Sequence, residues 1–383
     1  MKYADFVVIG GGLAGAAVAW QLARRKTGRV VLLEREPALG THATAQNAAM
    51  IRRLVEDEAI ASLAREGARM LDDPPDDLAP VLSERLGGAP AIRECGSILI
   101  ARSAAGRSGL EAMHEAGDMA GVGAELIEPG VVAEMVPGID ATKISGGLFC
   151  ASDGITDPHA LVHAFAAAAE REGAQISTGV RATGSRIEKG RLVAVETDLG
   201  TIPCAAAVDA AGAWAAALAR EIGTRPPPLR PHRRHIAVTA PVGGTEGWPI
   251  VWDVERGFYV RPESGRVMMS GCDQEPFQPC SPPTDSAFLA PMAAKAQILF
   301  PSIDFPIARS WAGLRTFPPD GRFLLGPDPH IEGLHWAAGL GGHGVTTAGA
   351  VGRWVVGAIV GEEPSGIAWH SPKRWAEAGR ISS

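Results

Sequence analysis

At 383 residues the chain is long for one hydrophobic core, so two closely joined domains are the default expectation. Apolar residues make up 46% and charged residues 21%, with mean hydropathy near zero, as in an ordinary soluble globular protein. The formal charge of −7 argues against nucleic acid as a partner, because phosphate binding needs a basic field.

The opening MKYADFVVIGGG places charge and a glycine turn where a signal peptide needs an unbroken apolar stretch. Late in the chain, the apolar segment Val345 to Val360 is interrupted by Arg353, too short and broken to span a bilayer. The five cysteines form no CxxC pair, and their odd number disfavours a disulfide framework. A cytoplasmic enzyme with free thiols is the simplest expectation.

In chain order, Asp5 to Ile9 is a short apolar run ending at Gly10–Gly15, followed by a helical pattern to Arg25 and a second apolar run, Arg29 to Glu34. That is one βαβ unit. Glu56 to Leu71 reads as a helix and Asp72 to Pro80 as a loop rich in Pro and Asp. Ser97 to Ala101 and Gly146 to Cys150 read as strands of a second sheet. Asp157-Pro158 is a helix start, with Asp as N-cap and Pro at the first helical position. Leu192 to Thr197 and Thr201 to Ala205 flank Asp198-Leu199-Gly200, which predicts a hairpin. Ala207 to Asp209 is a strand entering the turn Ala210-Ala211-Gly212. Residues 225 to 319 are strand-like and proline-rich, with one helical patch near Ala287 to Leu299. Gly333 to Ala338 then enters a last glycine turn, Gly339 to Gly344, and a helix of small residues.

The spacing Gly10, Gly12, Gly15 permits a tight turn, close backbone approach to a pyrophosphate, and tight helix–strand packing. The phosphates then meet the helix N-terminus. Glu34 follows at the distance expected of a ribose-binding acid and disfavours a 2′-phosphate. This unit alone fits FAD or NAD. The hairpin, the strand ending in Ala210-Ala211-Gly212-Ala213-Trp214 and the terminal glycine turn tip the reading to FAD, the last offering a nest of N–H groups for a reduced flavin.

His42 and His343 lie beside glycine turns, where hydrogen-bonded structural roles come before acid–base ones. The run His232-Arg233-Arg234-His235 fits a solvated basic patch, a carboxylate clamp or, least well, a metal pair, since no acid or cysteine nearby in sequence completes a ligand set. Arg315, in an apolar stretch, needs a carboxylate partner, for which a substrate is one candidate.

The turn Gly10–Gly15 with Glu34-Arg35, the segment Gly40 to Ala49, Asp209 to Trp214, Phe258-Tyr259, Trp311 to Arg315 and Gly341 to Gly344 together resemble the D-amino-acid oxidase/glycine oxidase superfamily of FAD-dependent oxidoreductases, with D-arginine dehydrogenase-like members the nearest likeness. The resemblance implies an α/β (α+β overall) chain: a Rossmann-type FAD-binding domain of glutathione-reductase/DAO type, interleaved with a mixed-sheet substrate-binding domain. Residues 1–85, 150–226 and 318–383 fall to the first, and 86–149 and 227–317 to the second. It implies non-covalent FAD contacted by Gly10, Gly12, Leu13, Ala14, Gly15, Glu34, Arg35, His42, Ala43, Thr44, Gln46, Asn47, Ala48, Ala49, Val180, Ala211, Gly212, Trp214, Gly313, Arg315, Leu340, Gly341, Gly342, His343, Gly344 and Val345. Arg315 and Tyr259 match residues that hold a substrate carboxylate, and Arg234 matches a second substrate-contacting arginine, with Arg233 one place away. His343 completes the catalytic candidates.

The implied reaction is oxidation of a C–N bond in a small amino acid or amine, by hydride transfer to the flavin and hydrolysis of the imine, with oxygen or an electron carrier as acceptor. Positioning and electrostatics carry most of the acceleration. Two departures remodel the side-chain pocket: Ser97 stands where D-arginine dehydrogenase-like members place a carboxylate, and Met50 where they place a histidine. Basic substrates are therefore expected to be poor. Arg52 and Arg53 read first as a solvated helix start and second as partners for another acidic group. A non-catalytic or electron-relay flavoprotein subunit is the alternative from another class, and a nicotinamide dehydrogenase the third.

Overall fold

The computed structural model describes residues 3–362 and 364–375; residues 1–2, 363 and 376–383 of the two outer segments lie outside the described residues. A six-stranded sheet runs in the order Leu324–Pro327, Leu334–Ala338, Ala206–Asp209, Phe6–Ile9, Val30–Glu34, Gln175–Thr178. All its pairings are parallel except that of the first two strands. Parallel strands covered on both faces read as continuous apolar runs. Here Val8, Leu32 and Val208 pack on one side, with the helices Leu13–Arg24, Pro158–Arg171 and Gly344–Val360. Val7, Val31, Leu33 and Ala207 pack on the other, against helix Ala215–Ile222 and the hairpin layer Ala182–Glu188, Arg191–Thr197, Gly200–Pro203.

A second, mixed sheet of nine strands uses only strands between residues 97 and 150 and between 230 and 317. Ser97–Ala101 joins the two stretches by pairing parallel with Ile250–Asp253 and antiparallel with Gly146–Cys150. Period-2 alternation sorts its side chains. Ala237, Phe258, Val260 and Met269 point into a core with helix Leu289–Leu299. Ile236, Tyr259 and Met268 point the other way and meet Ala48, from the segment after the first βαβ unit. Residues 46–50 thus pack on this face of the nine-stranded sheet. A small sheet of Met50–Ile51, Gly154–Ile155 and Arg93–Glu94 lies at the junction.

The predicted strands and the Asp157-capped helix occupy the expected positions; the Asp157 side chain accepts from the N–H groups of His159 and Ala160. Three helices, Ala79–Arg85, Ala104–Met119 and Pro129–Met135, had no clear sequence signal. The first begins inside the expected loop. The second is rich in Ala and Gly and buries only Leu110 and Gly117, so it carries little apolar periodicity.

Helix Glu58–Asp72 crosses the start of helix Gly344–Val360 at Gly67, where a Cβ would lie 2.0 Å from the Thr346 carbonyl oxygen. Neither backbone can yield cheaply. Gly67→Ala is expected to destabilise the fold by about 1–3 kcal/mol, as overpacking does. A melting temperature equal to wild type by calorimetry contradicts this close crossing.

Candidate active site

The first glycine turn is built from steric necessity. Gly10 has φ +113°, and a Cβ on it would lie 2.5 Å from the Ala210 carbonyl oxygen. A Cβ on Gly15 would lie 1.9 Å from Gly10 O, so Gly15 packs helix on strand and does not line the cleft. A Cβ on Gly12 meets only Thr44 Oγ1, at 3.4 Å, and Gly12 does line it. Helix Leu13–Arg24 has no side-chain cap at Gly12, and Leu13 N–H donates to Thr44 Oγ1. Glu34 closes the turn: Oε2 accepts from Gly11 N–H at 2.6 Å and Oε1 from Glu36 N–H at 2.8 Å.

A cleft opens at the carboxyl ends of these strands, and its lining runs from the first glycine turn past Glu34 and Trp214 to Arg315 and the last glycine turn, the placement a dinucleotide takes on such a sheet. Of the predicted cofactor residues, Gly10, Gly12, Leu13, Ala14, Glu34, Arg35, His42, Ala43, Thr44, Gln46, Asn47, Val180, Ala211, Gly212, Trp214, Arg315, Leu340, Gly341, Gly342, Gly344 and Val345 line it. Gly15, Ala48, Ala49, Gly313 and His343 are not among its lining residues. Gly313 is a packing glycine, since a Cβ would lie 2.4 Å from Gln46 O. Ala48 belongs to the Tyr259 cluster, and Ala49 N–H is held by the Asn47 side chain. Arg181 and Cys280 line the cleft without any local sequence signal.

At one corner the Arg35 guanidinium lies 3.9 Å from the Trp214 ring centroid, and His42 Nε2 is 2.9 Å from Glu36 Oε1. His343 caps the helix Gly344–Val360 through its backbone. Burial, helped by the charges of Arg52 and Arg234, pushes its imidazole down to about 4, so it is neutral at pH 7.

The second half of the site stands on the nine-stranded sheet. Arg315 pairs in register with His232 and Arg234 with Gly313, so the two arginines are diagonal neighbours on one face. Arg233 points to the opposite face, where it pairs with Glu275 and Asp285. His235 faces the same way, its Nδ1 2.7 Å from Asp273. The run His232–His235 is therefore an alternating strand, and no group of three or more potential metal ligands occurs among the described residues. Among the described residues the Arg234 side chain donates only to the Asp273 main-chain carbonyl, and that of Arg315 only to the carbonyls of Gln46 (2.9 Å) and Leu314 (3.2 Å). Burial, then the neighbouring Arg234, lowers Arg315 to about 10. Tyr259, raised to about 12 by burial, stacks on Trp252 at 5.0 Å.

Two expectations for the side-chain pocket need correcting. Ser97 is buried and donates its hydroxyl to Asp153 Oδ2 at 2.6 Å, rather than facing an open pocket. Asp153 also accepts from Arg53 N–H, and the Arg53 guanidinium is 3.5 Å away. Arg52 and Arg53 are both buried and precede the helix, which starts only at Glu58, so neither is a solvated helix start. Met50 is half-buried beside the Ala48–Tyr259 cluster.

A Rossmann-type cleft facing a cationic pocket on a mixed sheet defines a nucleotide-dependent oxidoreductase. The chain belongs to the FAD dependent oxidoreductase (DAO) family, which matches residues 5–358. It is 26% identical to the glycine oxidase of Geobacillus kaustophilus, covering 94% of this chain and 93% of that one. It is likewise 26% identical to the 4-methylaminobutanoate oxidase (formaldehyde-forming) of Paenarthrobacter nicotinovorans, over 94% of this chain and 44% of that one. The crystal structure of an L-proline dehydrogenase from P. horikoshii matches at a TM-score of 0.87 and 25% identity, covering 98% and 99% of the two chains. The chain spans less than half the length of several relatives, including that oxidase and human sarcosine dehydrogenase (40%).

The residues present fit FAD: the open side of Gly12, the uncapped helix and Glu34 suit its adenosine diphosphate portion. Glu34→Ala removes an acceptor and loosens the glycine turn. FAD affinity is expected to fall roughly ten- to a hundredfold, from about 1.5–3 kcal/mol. Titration of FAD into the apoprotein checks this, and an unchanged Kd excludes the assignment.

Buried Asp209, beside this turn, accepts from Ala211 N–H, while its other oxygen has no partner. Desolvation raises it from 3.8 to about 8. A folded-state value above the unfolded one means stability present at low pH is lost as pH climbs toward 8. Asp209→Asn removes that slope. Its melting temperature relative to wild type should therefore rise from pH 5 to pH 8 and level off above; a flat difference contradicts the assignment.

Proposed function

We propose that the protein oxidises a C–N bond of a small amino acid or amine of the D-amino acid, glycine or N-alkyl glycine type, using non-covalently bound FAD. In this reading residues 1–85, 150–226 and 318–383 bind FAD and residues 86–149 and 227–317 bind the substrate. The observation that carries it is the Arg315–Arg234–Tyr259 group: two buried guanidiniums with no carboxylate in ion-pair range among the described residues, beside the cofactor cleft. A buried cation without an anion is costly, and a substrate carboxylate supplies the missing charge. Glycine, sarcosine and 4-methylaminobutanoate, named for the relatives, all carry an amine and a carboxylate.

FAD, when bound, supplies the two-electron acceptor for the hydride leaving the carbon beside nitrogen. The protein's part is positioning. Arg315 forks onto the carboxylate, Tyr259 donates its hydroxyl to it, and Arg234 adds charge. Tyr259 stays protonated, so it donates rather than accepts. Leu340 to Gly342 line the cleft together with Arg315. Imine hydrolysis needs no protein group, and oxygen or an electron carrier serves as final acceptor. No helix among the described residues is long and apolar enough to cross a membrane. The five cysteines are all free thiols, which supports a cytoplasmic location.

A second reading, a non-catalytic flavoprotein subunit, has one observation behind it: the chain is 24% identical, over 96% of its length, to the pyruvate dehydrogenase phosphatase regulatory subunit of Mus musculus. Anaerobic mixing of the yellow protein with glycine, sarcosine and D- and L-amino acids separates the two. Bleaching of the flavin supports the enzyme, and a panel without bleaching supports the subunit.

Arg315→Lys keeps the charge and loses the fork. It is expected to fold and hold FAD but to reduce it about ten- to a hundredfold more slowly, the loss of a charge-assisted hydrogen bond. Stopped-flow reduction at wild-type speed removes Arg315 from the substrate site. D-Arginine and D-lysine should be poor substrates, because their side-chain cations meet a positive pocket whose nearby Asp153 is already paired with Arg53. A kcat/KM for D-arginine above that for D-alanine contradicts this.

A further inference from the structure

Six arginines are buried among the described residues: Arg52, Arg53, Arg233, Arg234, Arg261 and Arg315. Three of them have carboxylates. Arg53 pairs with Asp72 and Asp153, Arg233 with Glu275 and Asp285, and Arg261 with Glu263. The other three have none within ion-pair distance among the described residues. There the Arg52 guanidinium donates only to the main-chain carbonyl of Leu54, and its Nε is buried without a partner. Arg52, Arg234 and Arg315 therefore differ in kind from the rest.

They also converge. The Arg52 guanidinium stacks over Trp252 at 4.3 Å, and Trp252 stacks on Tyr259, the tyrosine beside Arg315 and Arg234. A terminal nitrogen of Arg234 lies 3.8 Å from where a Cβ on Gly342 would be, on the wall of the cofactor cleft. The charges of Arg52 and Arg234 act together on both Cys272 and His343. Of the acids nearest this group, Asp153 pairs with Arg53, Asp273 with His235 and Asp57 with Arg322, while Glu56 is exposed and lies outside ion-pair distance of all three arginines. One carboxylate brings a single negative charge, which balances one guanidinium. Three uncompensated cations need more.

We propose that the substrate is an amine bearing two carboxylates: one beside the reacting carbon, taken by Arg315 with Tyr259, and a second taken by Arg52 on its Trp252 platform, with Arg234 adding charge to both. The inference rests on the amine-oxidising reading above and narrows its substrate. Primary amino diacids and secondary amines carrying two carboxyl groups share this chemistry, and matched pairs tell them apart.

The test uses the flavin-loaded protein and compares D- and L-glutamate with the glutamines, D- and L-aspartate with the asparagines, and iminodiacetate with sarcosine. In at least one pair the diacid is expected to have the higher kcat/KM by about ten- to a hundredfold, mainly through KM. In Arg52→Gln that ratio should collapse toward one, and Arg52→Lys should restore part of it. A second measurement needs neither turnover nor a variant: glutarate should perturb the flavin spectrum at about tenfold lower concentration than butyrate, as an added charge-assisted contact gives. Neutral partners that match or surpass every diacid overturn this inference and leave the amine-oxidising reading standing. If no amine bleaches the flavin, that reading fails. Glutarate binding no tighter than butyrate then overturns the dianion site as well, and tighter binding lost in Arg52→Gln upholds it.

Discussion

The nucleotide half depends on one close approach. A Cβ at Gly15 would fall 1.9 Å from the carbonyl oxygen of Gly10, so the first helix can lie this near its own strand only because position 15 is glycine, while Gly10 lets the backbone at Ala210 approach from the neighbouring strand. That contact fixes the angle at which helix Leu13–Arg24 leaves the sheet, and with it the direction of the helix N-terminus. Glu34 then ties down the turn from the neighbouring strand, using both carboxylate oxygens on backbone N–H groups. The cleft, the polarity at its floor and its alignment with four parallel strand ends all follow from that geometry.

The other half is attached by a different device. Two arginines on the nine-stranded sheet reach across to main-chain carbonyls of one short segment: Arg315 to Gln46 and Arg261 to Ala48, the latter at 2.7 Å. Gly313 lets the Ile307–Phe317 strand press directly on Gln46. The segment that follows the first βαβ unit thus becomes the floor on which the Ile307–Phe317 strand rests. Arg315 has a dual position, structural through Gln46 and facing the cleft.

What could be read from the amino-acid order divides along physical lines. Strand, glycine turn and helix at residues 5–34 are contiguous, so period and turn chemistry reveal them together. The same holds for the hairpin around Asp198-Leu199-Gly200 and the Asp157 cap. Pairing partners were illegible where they are distant: Ser97 finds Asp153 56 positions later, so a residue read as open to a ligand is spent on a buried acid. Arg233 and Arg234 are indistinguishable as letters and differ only once strand alternation sends one to Glu275 and the other to the inner face. Arg52 and Arg53 looked like a charged helix entry because charge usually seeks water; burial beside Trp252 and Asp153 is a tertiary fact with no local mark. Helix Ala104–Met119 hid for the opposite reason, having too little apolar surface to show a stripe.

The arginine–carbonyl joint between the halves has a consequence for how the protein meets changes in acidity. A main-chain carbonyl does not titrate, so contacts of Arg261 to Ala48 and Arg315 to Gln46 persist where carboxylate pairs weaken. The side chains around the pocket sit far from neutrality as well, with His343 near 4, Arg315 near 10 and Tyr259 near 12. The joint between the two sheets therefore holds no titrating partner, and Asp209, within the nucleotide half, is the group whose charge changes near pH 8.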